Sequence, residues 1–398
     1  PISIKYMAEG NAEELGRLMT EAEKLFDAKV APMSSALWSP KLHSVLEDPN
    51  IQPLVWGGKG VGSHGDGSVQ FLARSEEAQQ QLVQYLNERG MKAYTLTLKP
   101  VHTVRRAIIP VAGFGTRLYP ATRAIKKDFF PIPCPDGMVR PVILILLEEL
   151  VQSGIEEICL VLGSEEERQQ YADFFECPLS DEHLRKLNPE AQEYENHILD
   201  IGKRLHYVYQ REKRGFGHAV YQAAQFAGNE PVMLLLGDTL YRSDSNKPCA
   251  LQMVEEYERC NSLMVSIHPI PLAEVSRYGI LHGVWEDNAR TMLNVSTMME
   301  KPKASYAEEY LGVRNKDGEK EYYSVFGQYI LTPEVFLQLH EDIMQKEIDG
   351  DHVTEIELTS ALEAVRKRSG MMGVRLKGHM YDMGNPQALV NAIKEFSK

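Results

Sequence analysis

The sequence predicts an α/β chain: a doubly wound, mostly parallel sheet over residues 101–398, preceded by a smaller α+β domain over residues 1–100. Three observations support this. Short apolar runs at residues 107–111, 158–162, 204–209, 232–236 and 263–267 alternate with helical patterns such as residues 142–153 and 217–227. The runs are apolar nearly throughout, which suits strands covered on both faces. Before residue 100 the texture differs, and Lys99-Pro100 with Arg105-Arg106 marks a boundary.

In the smaller domain, residues 11–26 place Leu15, Leu18, Met19, Ala22 and Leu25 at helical spacing. A short helical stretch is expected after Pro40, then an apolar run at residues 51–56 and a glycine-rich loop at residues 57–67. A strand at residues 68–73, a helix at residues 76–89 closed by Gly90, and a strand at residues 93–98 complete the unit.

The bulk numbers exclude several classes of function. At 398 residues, 43% hydrophobic and 25% charged, the chain has enough apolar mass for two or three ordinary domains. A formal net charge of −13 argues against a nucleic-acid partner, which would need a basic face, but leaves room for a nucleotide held by a local Arg/Lys cluster. The five cysteines, Cys134, Cys159, Cys177, Cys249 and Cys260, are odd in number and lack paired zinc spacing, as expected for free thiols in a cytoplasmic protein. No membrane span is expected: the most apolar stretch, residues 142–147, is closed by Glu148 and Glu149.

The chemistry concentrates after the run at residues 107–111. That run opens into Ala112-Gly113-Phe114-Gly115-Thr116-Arg117-Leu118, followed by Pro120, Thr122, Lys126, Lys127 and Pro131. A strand entering a glycine-bearing turn lets backbone N–H groups approach an anion. Leu118 stands where a dinucleotide fingerprint wants its third glycine, and Thr116-Arg117 stands where a Walker loop wants Lys-Ser/Thr. What remains is a phosphate loop carrying an arginine suited to bidentate contact.

This segment resembles the signature of the sugar nucleotide pyrophosphorylases, with Lys126 where the family has proline before its lysine. Later segments resemble the family's in order: Gln210 with Gly215-Phe216-Gly217-His218, Gly237-Asp238, Tyr278-Gly279, Glu300-Lys301-Pro302 and Asp382-Met383-Gly384-Asn385. The resemblance covers residues 105–396 and implies a Rossmann-like nucleotidyltransferase that joins UTP to a sugar 1-phosphate, with glucose 1-phosphate the expected sugar. It implies Arg117 and Lys127 as catalytic residues. Ala112, Gly113, Gly115, Thr116, Gln210, Gly215 and Gly217 would hold the nucleotide, and Gly279, Glu300 and Lys301 the sugar phosphate. Asp238 and Asp382 would bind Mg²⁺. Asp238 also stands out on its own, because an aspartate after a buried strand sits where this architecture binds ligands. Two other possibilities stay open: a different base or sugar, such as dTTP, and a regulatory homologue that has lost catalysis. A homo-oligomer is compatible with all of them.

The glycine-rich stretch Gly57-Gly58-Lys59 through Gly62, Gly65 and Gly67 resembles the third motif of GHMP-family small-molecule kinases, with His64 and Asp66 in place of glycines. The ATP loop of those kinases is missing, so only their C-terminal domain is matched. Pro1 is not a start methionine. Two explanations compete: the chain is the C-terminal part of a fused sugar kinase and pyrophosphorylase, or the first domain is a packing module of a complete protein.

Overall fold

The structure is a computed structural model and describes residues 3, 6, 11–62, 66–96, 103–113, 115–315 and 318–396. Phe114, His64 and the Lys99-Pro100 boundary lie outside the described residues. The chain divides into two compact units, Pro1–Val101 and His102–Lys398.

In the first unit, α1 (Ala12–Lys29) begins where the Asn11 side chain accepts from the Glu14 N–H, with Glu13 and Glu14 in the first turn and Lys29 in the last. After α2 (Pro40–Leu46), strands β1 (Val55–Gly60) and β2 (Val69–Ala73) pair antiparallel, and α3 (Glu76–Glu88) follows, capped by Ser75. A small core of Val45, Ile51, Val55, Leu82 and Leu86 joins them. Two expectations need correcting. Gly57–Gly60 belong to β1, not to a loop. Gly57 has no Cβ because one would stand 1.9 Å from the Gly16 carbonyl oxygen, so these glycines serve close helix–strand contact. Residues 93–96 form no strand: Tyr94 and Leu96 are exposed and have no partner edge among the described residues.

The second unit is built on one large sheet. Its elements run β3 (Arg106–Pro110), the hairpin β4 (Pro131–Pro133) and β5 (Val139–Pro141), α4 (Val142–Gln152), β6 (Glu157–Leu162), α5 (Glu165–Phe175), α6 (Pro189–Gly202) and β7 (Leu205–Tyr209). Then come α7 (Phe216–Tyr221), β8 (Val232–Leu235), β9 (Thr239–Ser243), α8 (Cys249–Cys260), β10 (Met264–Ile270), β11 (Gly279–Trp285), β12 (Met292–Glu300) and β13 (Val313–Arg314). The chain continues through β14 (Lys320–Leu331), α9 (Pro333–Ile348), α10 (Leu358–Ser369), β15 (Met372–Arg375), β16 (Gly378–Asp382) and α11 (Pro386–Phe396). The strand order is β10-β15-β12-β11-β14-β8-β3-β6-β7, with β13 on β14.

Alternation along each strand explains the apolar runs. Ala107 and Ile109 join one core and Ile108 the other; Ile158, Leu160 and Leu162 oppose Cys159 and Val161; Met233 and Leu235 oppose Val232 and Leu234. All of these apolar side chains are therefore buried in one core or the other, at roughly 1.5–3 kcal/mol for each large one. The sheet is less uniformly parallel than the sequence implies. β8, β3, β6 and β7 are parallel, but β14 runs antiparallel to β8, β10 and β11. β10, whose apolar run suggested a parallel strand, pairs parallel with β15 and antiparallel with β14, because complete burial dictates apolarity in either direction. The helix expected over residues 217–227 is two: α7, and a second turn at Ala224–Ala227.

Candidate active site

The site is assembled where β3 and β8 end. Beyond β3, Val111 donates to the Val161 carbonyl, and Ala112 is buried while Gly113 is exposed. Gly115 takes a left-handed φ of 61°, after which Thr116–Leu118 make one 3₁₀ turn that leaves Thr116 and Arg117 exposed. Beyond β8, Gly237 lies against this loop: a Cβ there would come within 2.6 Å of Val111 Cγ1 and 2.8 Å of the Pro110 oxygen. Asp238 follows directly, half-buried.

The two neighbouring lysines have different surroundings. Lys127 Nζ stands 2.8 Å from Asp238 Oδ2 and 3.7 Å from where a Cβ on Gly113 would be. Lys126 Nζ turns the other way, donating to the Val111 carbonyl at 3.2 Å and to Glu167 Oε2 at 2.6 Å. Lys126 thus braces the loop from behind, and Lys127 faces the open side. Between them Asp128 is fully buried and accepts from the Tyr171 hydroxyl at 2.8 Å. Burial pushes its carboxyl up to about 6, against the pull of Lys126 and Lys127.

Asp382 comes to the same end from β16. This strand pairs antiparallel with β9, Asp382 opposite Thr239, and the Met383 N–H donates to the Asp238 carbonyl at 2.9 Å. Asp238 and Asp382 are therefore set on adjacent strands of one short ribbon. Asp382 Oδ1 accepts from the Gly384 N–H at 2.6 Å. A Cβ at Gly384 would lie 2.9 Å from that oxygen and 3.1 Å from Arg117 Nη2, so the glycine lets the guanidinium approach the ribbon. Arg117, Lys127, Asp238 and Asp382 converge. Two carboxylates beside an open loop fit a hard divalent cation, which takes oxygen ligands.

The nucleotide-side residues form a second group. Gln210 is buried, and its Nε2 donates to the Gly215 carbonyl at 2.9 Å and meets His218 Nδ1 at 3.3 Å. Its donor half is thus committed within the chain. Gly215 has φ of 97°, and a Cβ on it would stand 2.8 Å from the Ile356 oxygen, to which the Gly217 N–H donates at the same distance. Sequence reasoning missed Lys213, whose Nζ donates to the Ala112 carbonyl at 2.8 Å. It also missed Glu167, which accepts from Lys126 and the Gly163 N–H. Basic and acidic side chains near Gln210 and Gly163 were visible, but that Lys213 reaches the Ala112 carbonyl and Glu167 the Lys126 ammonium is visible only in three dimensions.

The third group flanks β11 and β12. Gly279 pairs with Glu300 across the two strands, and its missing Cβ would be 3.1 Å from Glu300 Oε2. That oxygen also accepts from the Thr359 hydroxyl at 3.0 Å. Lys301 takes a left-handed φ of 45°, its N–H donating to the Tyr278 carbonyl. It is 62% exposed, with its ammonium 3.3 Å from Glu300 rather than on the aspartates. Burial, and then the charge of Asp382, raise the Tyr278 phenol above its ordinary value, so Tyr278 links this group to the ribbon.

Comparisons with known proteins bear on the second unit. A family model described as nucleotidyl transferase matches residues 106–398. The UTP–glucose-1-phosphate uridylyltransferase of Streptococcus pneumoniae serotype 4 is 33% identical over 286 residues, 71% of this chain and 86% of the relative. That of Bacillus subtilis is 32% identical over 298 residues, 74% of this chain and 91% of the relative. Among solved structures, a UDP-glucose pyrophosphorylase complexed with UDP-glucose is similar with a TM-score of 0.58 at 27% identity, covering 74% of this chain and 98% of that one.

Proposed function

Because the chain belongs to the nucleotidyl transferase family, we propose that it transfers a uridylyl group from UTP to glucose 1-phosphate, giving UDP-glucose and pyrophosphate. The observation that carries this is the convergence of Arg117, Lys127, Asp238 and Asp382 at the ends of β3, β8 and β16. The curated relatives bear the same activity in their names.

The reaction is a displacement at phosphorus. A phosphate oxygen of the sugar phosphate attacks the α-phosphorus of UTP, the bond to the β-phosphate bridging oxygen breaks, and pyrophosphate leaves. No protein nucleophile is required, so positioning and charge stabilisation do the catalysis. The N–H groups of the Ala112–Thr116 loop receive the triphosphate, their geometry fixed by Lys126 and Lys213 on the carbonyls of Val111 and Ala112. Arg117 and Lys127 neutralise charge on the transferring group and the leaving pyrophosphate. Gln210 offers Oε1 to the N–H of the uracil edge. Gly279 and Glu300 receive sugar hydroxyls, and Lys301, the most exposed of the set, swings to the sugar phosphate. Asp238 and Asp382 would hold Mg²⁺, which supplies charge neutralisation across the phosphates. Lys127 pairs with Asp238, and substrate phosphate offers the ammonium a competing partner.

Five unpaired thiols are compatible with a reducing, cytoplasmic setting. Among the described residues no helix is long and apolar enough to cross a membrane. For the first unit, the kinase-like reading rests on the glycine-rich stretch that begins at Gly57; Asp66, which departs from that pattern, accepts from the Lys41 and Leu42 N–H groups and caps α2.

A panel of nucleoside triphosphates against several sugar 1-phosphates, scored by pyrophosphate release, tests the assignment. UTP with glucose 1-phosphate should lead. Asp238→Asn should lower kcat at least ~100-fold, the scale of losing one buried charge contact, with the circular dichroism unchanged. Release with no pair at all would overturn the enzymatic assignment, and near-normal kcat in Asp238→Asn the metal-holding role.

A further inference from the structure

We propose that Glu23, Asp27 and His43, in the first unit, form a site for a divalent transition-type cation such as zinc, independent of the uridylyl-transfer site. Glu23 and Asp27 are one turn apart on α1 and share a face, and His43 reaches them from α2. The three side chains each bring a ligand atom within 4.8 Å of the others. Donor atoms around an ion with bonds of about 2.1 Å stand roughly 3.0–3.4 Å apart. His43 Nε2 and Asp27 Oδ2 are already 2.9 Å apart, so only the Glu23 carboxylate has to close in.

The protonation pattern points to a cation. His43 Nδ1 lies 2.8 Å from the Ser39 carbonyl oxygen. A carbonyl can only accept, so Nδ1 carries the ring proton. In the neutral ring Nε2 then presents a lone pair, and its partner at 2.9 Å is a carboxylate oxygen, also an acceptor. Something positive has to lie between them: a second ring proton or a metal ion. Three donors that converge within 4.8 Å, one of them only 5% exposed, favour the ion, whose two charges match both carboxylates beside a neutral imidazole.

The surroundings match what a ligand histidine needs. The Ser39 carbonyl fixes the ring and its tautomer, and the Gly60 N–H donates to Glu23 Oε2 at 2.8 Å, orienting that carboxylate. One imidazole with two carboxylates suits zinc and its neighbours better than magnesium, which prefers oxygen and water alone. Bound there, the ion ties α1 to α2. Binding exchanges the Nε2 proton for the metal, so the proton leaves to buffer.

The test is a calorimetric zinc titration of the full chain, stripped with chelator, in excess Mg²⁺ so that Asp238 and Asp382 are saturated. Buffers of different ionisation enthalpy count released protons. The expected result is one zinc equivalent in the wild type, with proton release, lost in His43→Ala while uridylyl transfer in Mg²⁺ is unchanged. Absence of zinc binding in the wild type, or equal binding in His43→Ala, overturns the proposal; the second outcome would place the ion elsewhere, such as on the exposed Cys177 or Cys260. Should His43→Ala misfold, zinc-edge X-ray absorption on the wild type decides. Nitrogen and oxygen neighbours with an imidazole signature support the site, and sulfur neighbours overturn it.

Discussion

The ion pair between Lys127 and Asp238 joins two side chains that remain partly exposed, at 17% and 26%. Such a pair adds little to folding, and each partner is accessible to a ligand. Lys126 is equally exposed and differs in its partners, since its ammonium is spent on the Val111 carbonyl and Glu167. The two should separate on mutation. Lys127→Ala should lower kcat on the order of 100-fold with the urea midpoint little changed. Lys126→Ala should lower the urea midpoint modestly, by a stability loss of about 1 kcal/mol for the hydrogen bond to the Val111 carbonyl, and raise the KM for UTP through a slackened loop. Steady-state kinetics beside urea titration reads both. At this scale the sequence was legible where a residue's role is its own chemistry, as for Arg117 and Asp238. It was silent where the role is a contact made by the fold: Lys213 reaches Ala112, and Thr359 reaches Glu300, across long stretches of chain.

At the level of elements, apolar runs told which strands are buried but not which way they run. β10 and β3 look alike in sequence, yet β10 joins the antiparallel half through β14. The long β14 serves both halves: it pairs with β10 from Tyr322 to Ile330, and also with β11 at Tyr323 and Ser324 and with β8 from Gln328 to Leu331, with Gly327 at φ 95° between the last two. No local sequence pattern announces such a shared strand. Gly215→Ala tests a second glycine of this kind. Its φ of 97° and a Cβ 2.8 Å from the Ile356 oxygen predict strain of roughly 1–3 kcal/mol, read as a lower melting temperature and weaker UTP binding. α4 carries a pH-sensitive tie. Glu149 is partly buried, accepts from the Ala250 N–H and Gln328 Nε2, and burial raises its carboxyl to about 7. The native state holds this proton where the unfolded chain, near 4.5, has released it. The associated stability is full below the unfolded value and lost as pH rises through 7. Glu149→Gln mimics the neutral acid. Urea midpoints of variant and wild type should nearly coincide at about pH 5 and diverge in the variant's favour by about pH 8. Parallel curves would contradict it.

For the whole molecule, every residue proposed for uridylyl transfer belongs to the unit His102–Lys398, and none to Pro1–Val101. A fragment of residues 102–398 should therefore retain pyrophosphate release from UTP and glucose 1-phosphate with kcat/KM within about threefold of the full chain, since the large core lies wholly inside it. A fragment that folds by circular dichroism yet fails to turn over would show that the first unit contributes to the reaction. The sequence signalled both units by their change of texture, because a boundary alters composition over many residues at once.

The β9–β16 ribbon has a consequence for how the protein is made. Synthesis is vectorial, and Asp238 leaves the ribosome long before Asp382 does. The parallel strands β3, β6, β7 and β8 can pair while β16 is still unmade, but the carboxylate pair cannot form until residue 382 has emerged and β16 has returned to β9. A nascent chain therefore passes through a long interval in which its triphosphate loop is present and its second aspartate is not. Products of stalled or prematurely ended translation inherit that condition: they can be folded in their parallel half and still be unable to consume UTP.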